Sequence, residues 1–347
     1  MPLFQLVIFL FALNLASRLQ AQPTAEDVRT IRVMTFNILQ GGNDAGNVGF
    51  GNMKFGGSRI DEIAEVIKVA GADIVGVQED CDDDRLRVAL GNDWHRKGSI
   101  YSRFPLSDAT VKPYLTVVRV QLTEAHFVNV VNCHWLPPAN GYGPDVVQAE
   151  LRKGGPIDAV KLAELAVSRC RVADGPRGYN RTLDLLKPFV DAGTTVLLTG
   201  DFNEPSHLDW TAADAEKGTD RWVRNPTAVP LRFAIEWPGS KALENLGMID
   251  SYRSIHTNEV AKRGITWTPS YEPGTPGRRP YDDQCLDRID RIYHFGSSCH
   301  PVAAEVVGEN EKDADIVPKC LWPSDHRAVV VEYSIKMTNS SSSGVSQ

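Results

Sequence analysis

The apolar positions of this chain fall into short blocks that stop on polar residues. Ile31-Arg-Val-Met-Thr-Phe-Asn-Ile-Leu carries apolar residues on both faces and runs into a Gly-rich stretch, which predicts a central strand covered on both sides. Residues 41 to 57 hold seven glycines in a polar loop. Ser58 then opens a predicted helix, with Asp61 in the capping-box position, Ile60, Ile63, Ala64 and Ile67 at helical spacing, and Gly71 as its stop. Ala72 to Glu79 follows as a strand. Further strands are predicted over 98–104, 115–122, 127–135, 194–200, 288–294 and 326–334, and helices over 160–173 and 182–192. Strands and helices mix without strict alternation, which favours sheets packed face to face with helices outside over a doubly wound fold. The segments 136–159, 205–245 and 268–284, punctuated by Pro and Trp, predict long loops or insertions.

The chain ends change the picture of where the protein works. The apolar run from Leu3 to Leu13 is too short to span a bilayer comfortably and passes into a stretch of small and polar residues. It predicts a signal peptide over 1–21, and hence a secreted or periplasmic protein, against the alternatives of a buried first strand or an uncleaved anchor. Residues 22–337 are expected to form one catalytic domain, and the Ser-rich stretch 338–347 a disordered tail. Asn180-Arg-Thr and Asn339-Ser-Ser are glycosylation sequons.

Composition, 42% hydrophobic and 23% charged, is that of a globular protein rather than a disordered one. The formal net charge is −7, and loss of residues 1–21, whose one charged residue is Arg18, leaves 36 basic against 44 acidic residues, or −8. Such a chain lacks the broad basic field that drives non-specific nucleic-acid binding. Six cysteines (Cys81, Cys133, Cys170, Cys285, Cys299, Cys320) form no C-x-x-C pair, so disulfides are expected in an oxidising compartment. Cys285 and Cys299, which bracket one strand, are the expected local bridge, and Cys133, inside an apolar strand, is the expected buried thiol.

Candidate chemistry lies where the strands stop. Asn37 ends the first strand, Glu79 the next, His134 another, and Asp201 and Asn203 follow Val196-Leu-Leu-Thr-Gly. A strand that stops on an amide, carboxylate or imidazole delivers that group to the sheet rim. Each residue alone has a plain structural alternative: Asn37 and Asn203 as turn formers, Asp201 as a helix cap, Asp290 as an ion pair of Arg288 or Arg291. Trp210, Trp222, Trp237 and Trp267 offer an aromatic surface or, more commonly, core. His207 follows Asn203 closely, and the remaining histidines lack the spacing of a zinc site.

Taken in order, Thr35-Phe-Asn, Gln78-Glu, Asn132-Cys-His, Gly200-Asp-Phe-Asn, Asp290-Arg and Ser324-Asp-His resemble the motif set of the endonuclease/exonuclease/phosphatase superfamily over residues 31–334. The resemblance implies an α/β (α+β) fold, a four-layer sandwich of two packed mixed β-sheets flanked by helices. It also implies a metal-dependent phosphoester hydrolase. Asn37, Glu79 and Asp325 are then expected at the metal, Mg2+ with Mn2+ or Ca2+ as alternatives, and His134, Asp201, Asn203, Asp290 and His326 as catalytic. Asp290 is expected to hold His326, Asp201 and Asn203 to position a water, and His134 to stabilise phosphate or protonate the leaving group. Either Asp201 or His326 fits the role of base. Asp325 and His326 are adjacent, so both reach one site only if the strand end is bent.

Leu39 stands where the repair-nuclease branch carries a carboxylate, and His134 matches the secreted nuclease, sphingomyelinase and inositol-phosphatase-like branches. With the acidic balance, this favours a phosphodiesterase for a small-molecule or lipid-headgroup phosphoester. The alternatives are a secreted DNase-like endonuclease and a non-catalytic binding protein that keeps the fold; a phosphomonoesterase, one or two metals, and a monomer by default stay open.

Overall fold

The computed structural model describes residues 28–43, 54–80, 83–138, 141–170, 173–218, 234–271, 274–275 and 284–337. The expected signal peptide, the Ser-rich tail, Cys81 and Trp222 lie outside them. The first half of the chain runs β1 (Val28–Asn37), α1 (Ile60–Val69), β2 (Ile74–Gln78), α2 (Arg85–Leu90), β3 (His95–Lys97), β4 (Ile100–Ser102), β5 (Leu106–Lys112), β6 (Leu115–Gln121) and β7 (Phe127–His134). Then come α3 (Gly143–Arg152), α4 (Ala159–Cys170), α5 (Tyr179–Asp191), β8 (Val196–Asp201), α6 (Ala212–Lys217), α7 (Pro238–Asn245), β9 (Ile249–Asp250), α8 (Ser251–Ile255), β10 (Asp290–Phe295), β11 (Cys299–Val307) and β12 (Ala328–Lys336).

The strands form two six-stranded sheets, in the orders β11-β12-β1-β2-β4-β3 and β5-β6-β7-β8-β10-β9. Each is mixed around one parallel pair, β1 with β2 and β7 with β8. The sheets face each other and the helices lie outside, as the resemblance implied. Period-2 alternation explains the layers. Ile31 and Val33 of β1 meet Val128 and Val130 of β7 and Leu197 of β8 between the sheets, whereas Met34 and Phe36 point outward onto Ile63 and Ile67 of α1. On the far side Val131, Leu198 and Tyr293 pack with Leu186 of α5. Gly76 marks the closest approach of the sheets: a Cβ there would lie 1.9 Å from Thr199 Oγ1 and 2.5 Å from Asn132 Oδ1.

Several expectations need correction. α1 starts at Ile60 with Arg59 in the capping position and no side-chain cap, not at Ser58. The reason is that the buried Arg59 turns its guanidinium onto the carbonyls of Ile38 and Pro323, which sets the chain's entry into the helix. The strand expected over 98–104 is a short β3–β4 hairpin. The segments read as loops contain α3, α6 and α7: α3 buries Val147 and Leu151 with Trp210 and Trp237, α7 buries Leu243 in the core behind the second sheet, and α6 buries only Asp214. β12 begins at Ala328, leaving Ser324 to Arg327 in a bend. No bridge joins Cys285 to Cys299, because they lie in different cores, Cys285 with Trp267 and Cys299 with Tyr333; Cys133 is a buried thiol. Among the described residues no disulfide is present, and no helix is long and apolar enough to cross a membrane.

Candidate active site

The same alternation that builds the core builds the site. On the inner faces, apolar positions give way to small or amide ones and then to functional groups: Val33, Thr35, Asn37 in β1; Ile74, Gly76, Gln78 in β2; Val130, Asn132, His134 in β7; Leu197, Thr199, Asp201 in β8. The registers Asn37↔Gln78, His134↔Asp201 and Asp290↔Asp201 bring these ends to one rim of the sandwich. Below the rim, the Asn132 amide links the sheets. Its Oδ1 accepts from Gln78 Nε2 at 2.6 Å and Thr199 Oγ1 at 2.9 Å, and its Nδ2 donates to the Val77 carbonyl at 2.8 Å.

At the rim, all eight expected residues converge. Asn37 Oδ1 accepts from the Leu39 backbone at 3.0 Å, which turns its Nδ2 toward Asp201 Oδ2 at 3.0 Å, Glu79 Oε1 at 3.3 Å and His326 Nε2 at 3.4 Å. Asn37 was expected beside the metal; it here presents a donor, which suits a carboxylate or phosphate oxygen rather than a cation. Glu79 Oε2 accepts from the Gln40 backbone at 2.8 Å. Asp201 Oδ2 also accepts from Asn203 Nδ2 at 3.2 Å and lies 3.4 Å from His134 Nε2. His326 Nδ1 meets Asp290 Oδ2 at 2.9 Å, and its Nε2 lies 3.9 Å from Asp201 Oδ2 and 4.0 Å from Asp325 Oδ1. The bend before β12 lets Asp325 and His326 share the site: Ser324 Oγ donates to the Asn37 carbonyl at 2.6 Å and accepts from the His326 backbone at 3.1 Å. Leu39, Glu79 and Asn203 have positive φ (55°, 54° and 48°), backbone held in place by surrounding contacts.

Burial alone would lower the His326 pKa, but Asp290, Asp201 and Asp325 outweigh it and carry the imidazole up to about 10. Burial would raise Asp201, yet the His134 hydrogen bond, the charge of His326 and the Asn203 backbone bond hold it below the usual carboxylate range. Burial pushes Asp290 up, opposed by His326.

Asp201, Asp290 and His326 offer ligand atoms within 4.8 Å of one another. His326 Nδ1 and Asp290 Oδ2 are spent on each other, which leaves Asp201 as the free carboxylate of that group, with Glu79 and Asp325 the other carboxylates at the rim. Four carboxylates against one imidazolium leave excess negative charge, and hard oxygen donors suit a divalent cation.

Other sequence candidates lie elsewhere. His207 bonds Ser240 at 2.8 Å, and Trp210, Trp237 and Trp267 are core, with Trp267 6.5 Å between ring centroids from His326. Arg288 pairs with Asp209 and Asp250, and Arg291 donates to the Glu204 carbonyl, so neither is bound to Asp290. The supporting roles of Thr35, Thr199 and Ser324, and of Arg177 beside His134, were not anticipated. The inner-face alternation marks Thr35 and Thr199; nothing local marks Arg177.

The sequence profile of the Endonuclease/Exonuclease/phosphatase family matches residues 34–326. An uncharacterized protein of Caenorhabditis elegans is 27% identical over 320 residues, 88% of this chain and 91% of its own. Similar solved structures include an endonuclease/exonuclease/phosphatase family protein from Bacteroides thetaiotaomicron, 16% identical, covering 90% of this chain and 100% of that one at a TM-score of 0.48. A mannosyl-6-phosphatase from Bacteroides thetaiotaomicron is 15% identical (87% and 99% covered, TM-score 0.46), and a 3'-5' exonuclease from Neisseria meningitidis 16% (87% and 98%, TM-score 0.47). The profile reaches from Met34 in β1 to His326, so the whole site lies within it: the chain belongs to the endonuclease/exonuclease/phosphatase family, divalent-metal-dependent hydrolases of phosphoester bonds.

Proposed function

We propose that the protein is a Mg2+-dependent phosphodiesterase that cleaves a small-molecule or lipid-headgroup phosphoester by in-line attack of an activated water. The observation that carries this reading is the shared space of Asp201, His134 and His326, with His326 held from behind by Asp290 at 2.9 Å. Near neutral pH the environment favours ionised Asp201 and protonated His326. That division assigns proton acceptance from water to Asp201 and neutralisation of a phosphoryl oxygen to His326. Asn203 and Asn37 orient Asp201 through its Oδ2, and His134 is placed to donate to the leaving oxygen. Glu79 and Asp325, with Asp201 beside them, would hold the ion, which supplies charge neutralisation for the phosphate when bound.

The net charge of −7 argues against a long polyanion and for a compact substrate. The N-terminal apolar run supports secretion, so the mature protein from its natural host should begin at Gln22 on N-terminal sequencing. Hydrolysis of bis(p-nitrophenyl) phosphate with Mg2+, abolished by EDTA, tests the activity. A panel of duplex DNA, RNA, sphingomyelin, inositol phosphates and nucleotide diesters separates the small-substrate reading from an endonuclease. No turnover on any of them with any divalent ion would leave a binding protein and overturn the proposal.

A further inference from the structure

Beside the catalytic cluster lies a cleft of about 610 Å³, within the range that holds small ligands. Glu79 and His134 of the catalytic cluster line it together with Lys112, Tyr114, Arg177 and Asp80, the last paired with Arg96. Asp201, Asn203 and His326 do not line it, so it is room beside the reacting centre, for a part of the substrate other than the ester that is cleaved.

Arg177 is fixed in this wall. Its Nε donates to the His134 carbonyl at 3.2 Å and its Nη2 to the Trp135 carbonyl at 2.9 Å, while its guanidinium lies 4.3 Å from the Tyr114 ring centroid. The Tyr114 carbonyl in turn accepts from the His134 backbone at 3.0 Å, so both residues are tied to the strand end that carries His134. Arg177 is half-buried, its Nη1 has no hydrogen-bond partner and it forms no ion pair among the described residues; Lys112, exposed at the same wall, forms none either. Elsewhere in this acidic chain the buried or half-buried cations Arg32, Arg96, Arg253, Arg288 and Arg327 each meet a carboxylate, whereas Arg59 and Arg291, like Arg177, are held by backbone carbonyls, but neither of those two lines this cleft. The Asp201 and Glu79 carboxylates act on Arg177 through space but do not touch it, so an anionic ligand seated directly on this partly desolvated guanidinium would offset the cost that remains.

We infer that Arg177 and Lys112 form a second anion subsite, so that the substrate carries, besides the ester cleaved, another anionic group of the phosphate class. This rests on the phosphoesterase reading for the first group only. The test uses ligands whose P–C bonds are not hydrolysed: propane-1,3-bisphosphonate and pentane-1,5-bisphosphonate, each against its monophosphonate, titrated calorimetrically into the full-length protein with Mg2+. At least one bisphosphonate should bind about tenfold more tightly than its monophosphonate. Arg177→Met and Lys112→Met should each cut that preference about threefold or more. If Arg177 served only to position His134, the variant would weaken both ligands alike and leave the ratio unchanged. No preference in the wild type at either length, or a preference that neither substitution moves, overturns the subsite. Because the ligands are not turned over, failure to hydrolyse any diester would sink the proposed activity separately.

Discussion

Asp290 grips His326 through Nδ1 at 2.9 Å while Asp201 and Asp325 lie beyond its Nε2, and this surplus of acid has a measurable pH signature. In the metal-free protein the His326 pKa rises from 6.5 to about 10, so its stabilising contribution is complete below 6.5 and is lost as pH climbs toward 10. Urea unfolding in EDTA should therefore show stability falling across that window, with a shallower fall in Asp290→Asn. His326→Ala and Asp201→Asn should each lower kcat by about a hundredfold or more, and in EDTA at neutral pH each should also lower the urea midpoint, because each removes one partner of a charge cluster that the fold holds ionised. Wild-type rates in either variant would unseat the assignment. Glu79→Gln should raise the Mg2+ concentration needed for half-maximal activity, and an unchanged titration would count against its place at the ion. Next to the site, burial raises Glu204 from 4.5 to about 7, opposed by Arg291. A raised carboxyl costs stability as pH climbs from 4.5 to about 7, so Glu204→Gln should gain on wild type in urea midpoint above pH 7 and not at pH 4.5.

The strands matter to function through where they stop. β1 and β2 run parallel in one sheet and β7 and β8 in the other, so four carboxyl ends share a rim. That geometry needs the sheets to close tightly over Gly76, where a Cβ would sit 1.9 Å from Thr199 Oγ1. Gly76→Ala should cost about 2–3 kcal/mol and lower kcat as well, read by urea unfolding and turnover; a neutral effect on both would mean that the inter-sheet layer gives way freely. The core strands β1, β2, β6, β7, β8, β10 and β12 were legible in the sequence because apolar blocks with β-branched residues stand between Gly-rich or polar breaks. β5, whose residues are almost all exposed, and the helices α3, α6 and α7 were not: the buried faces of α3 and α7 are short and carry Pro, Gly, Gln and Ser among their few apolar residues, and α6 buries only Asp214.

At the scale of the whole molecule, a chain of net charge −7 must bind an anionic phosphate at a rim already crowded with carboxylates. A divalent cation reconciles the two, and its binding should stabilise the fold. Saturating Mg2+ should raise the melting temperature relative to EDTA, by an amount matching about 2.7 kcal/mol at a hundred times the dissociation constant. No shift with Mg2+, Mn2+ or Ca2+ would separate this site from the metal chemistry of its family.

The order of motifs along the chain was enough to determine the family and the identity of the eight rim residues, because chemistry restricts which side chains can bind metal and phosphate. Tertiary structure alone decided how they serve one another. Asn37 faces the site with its amide nitrogen because the Leu39 backbone takes its oxygen, and Asp325 and His326 meet because Ser324 bends the chain ahead of β12. It also set Arg177, 43 residues beyond His134, against the His134 carbonyl. Such contacts depend on the three-dimensional path of the chain, which residue types and spacing along one strand do not encode.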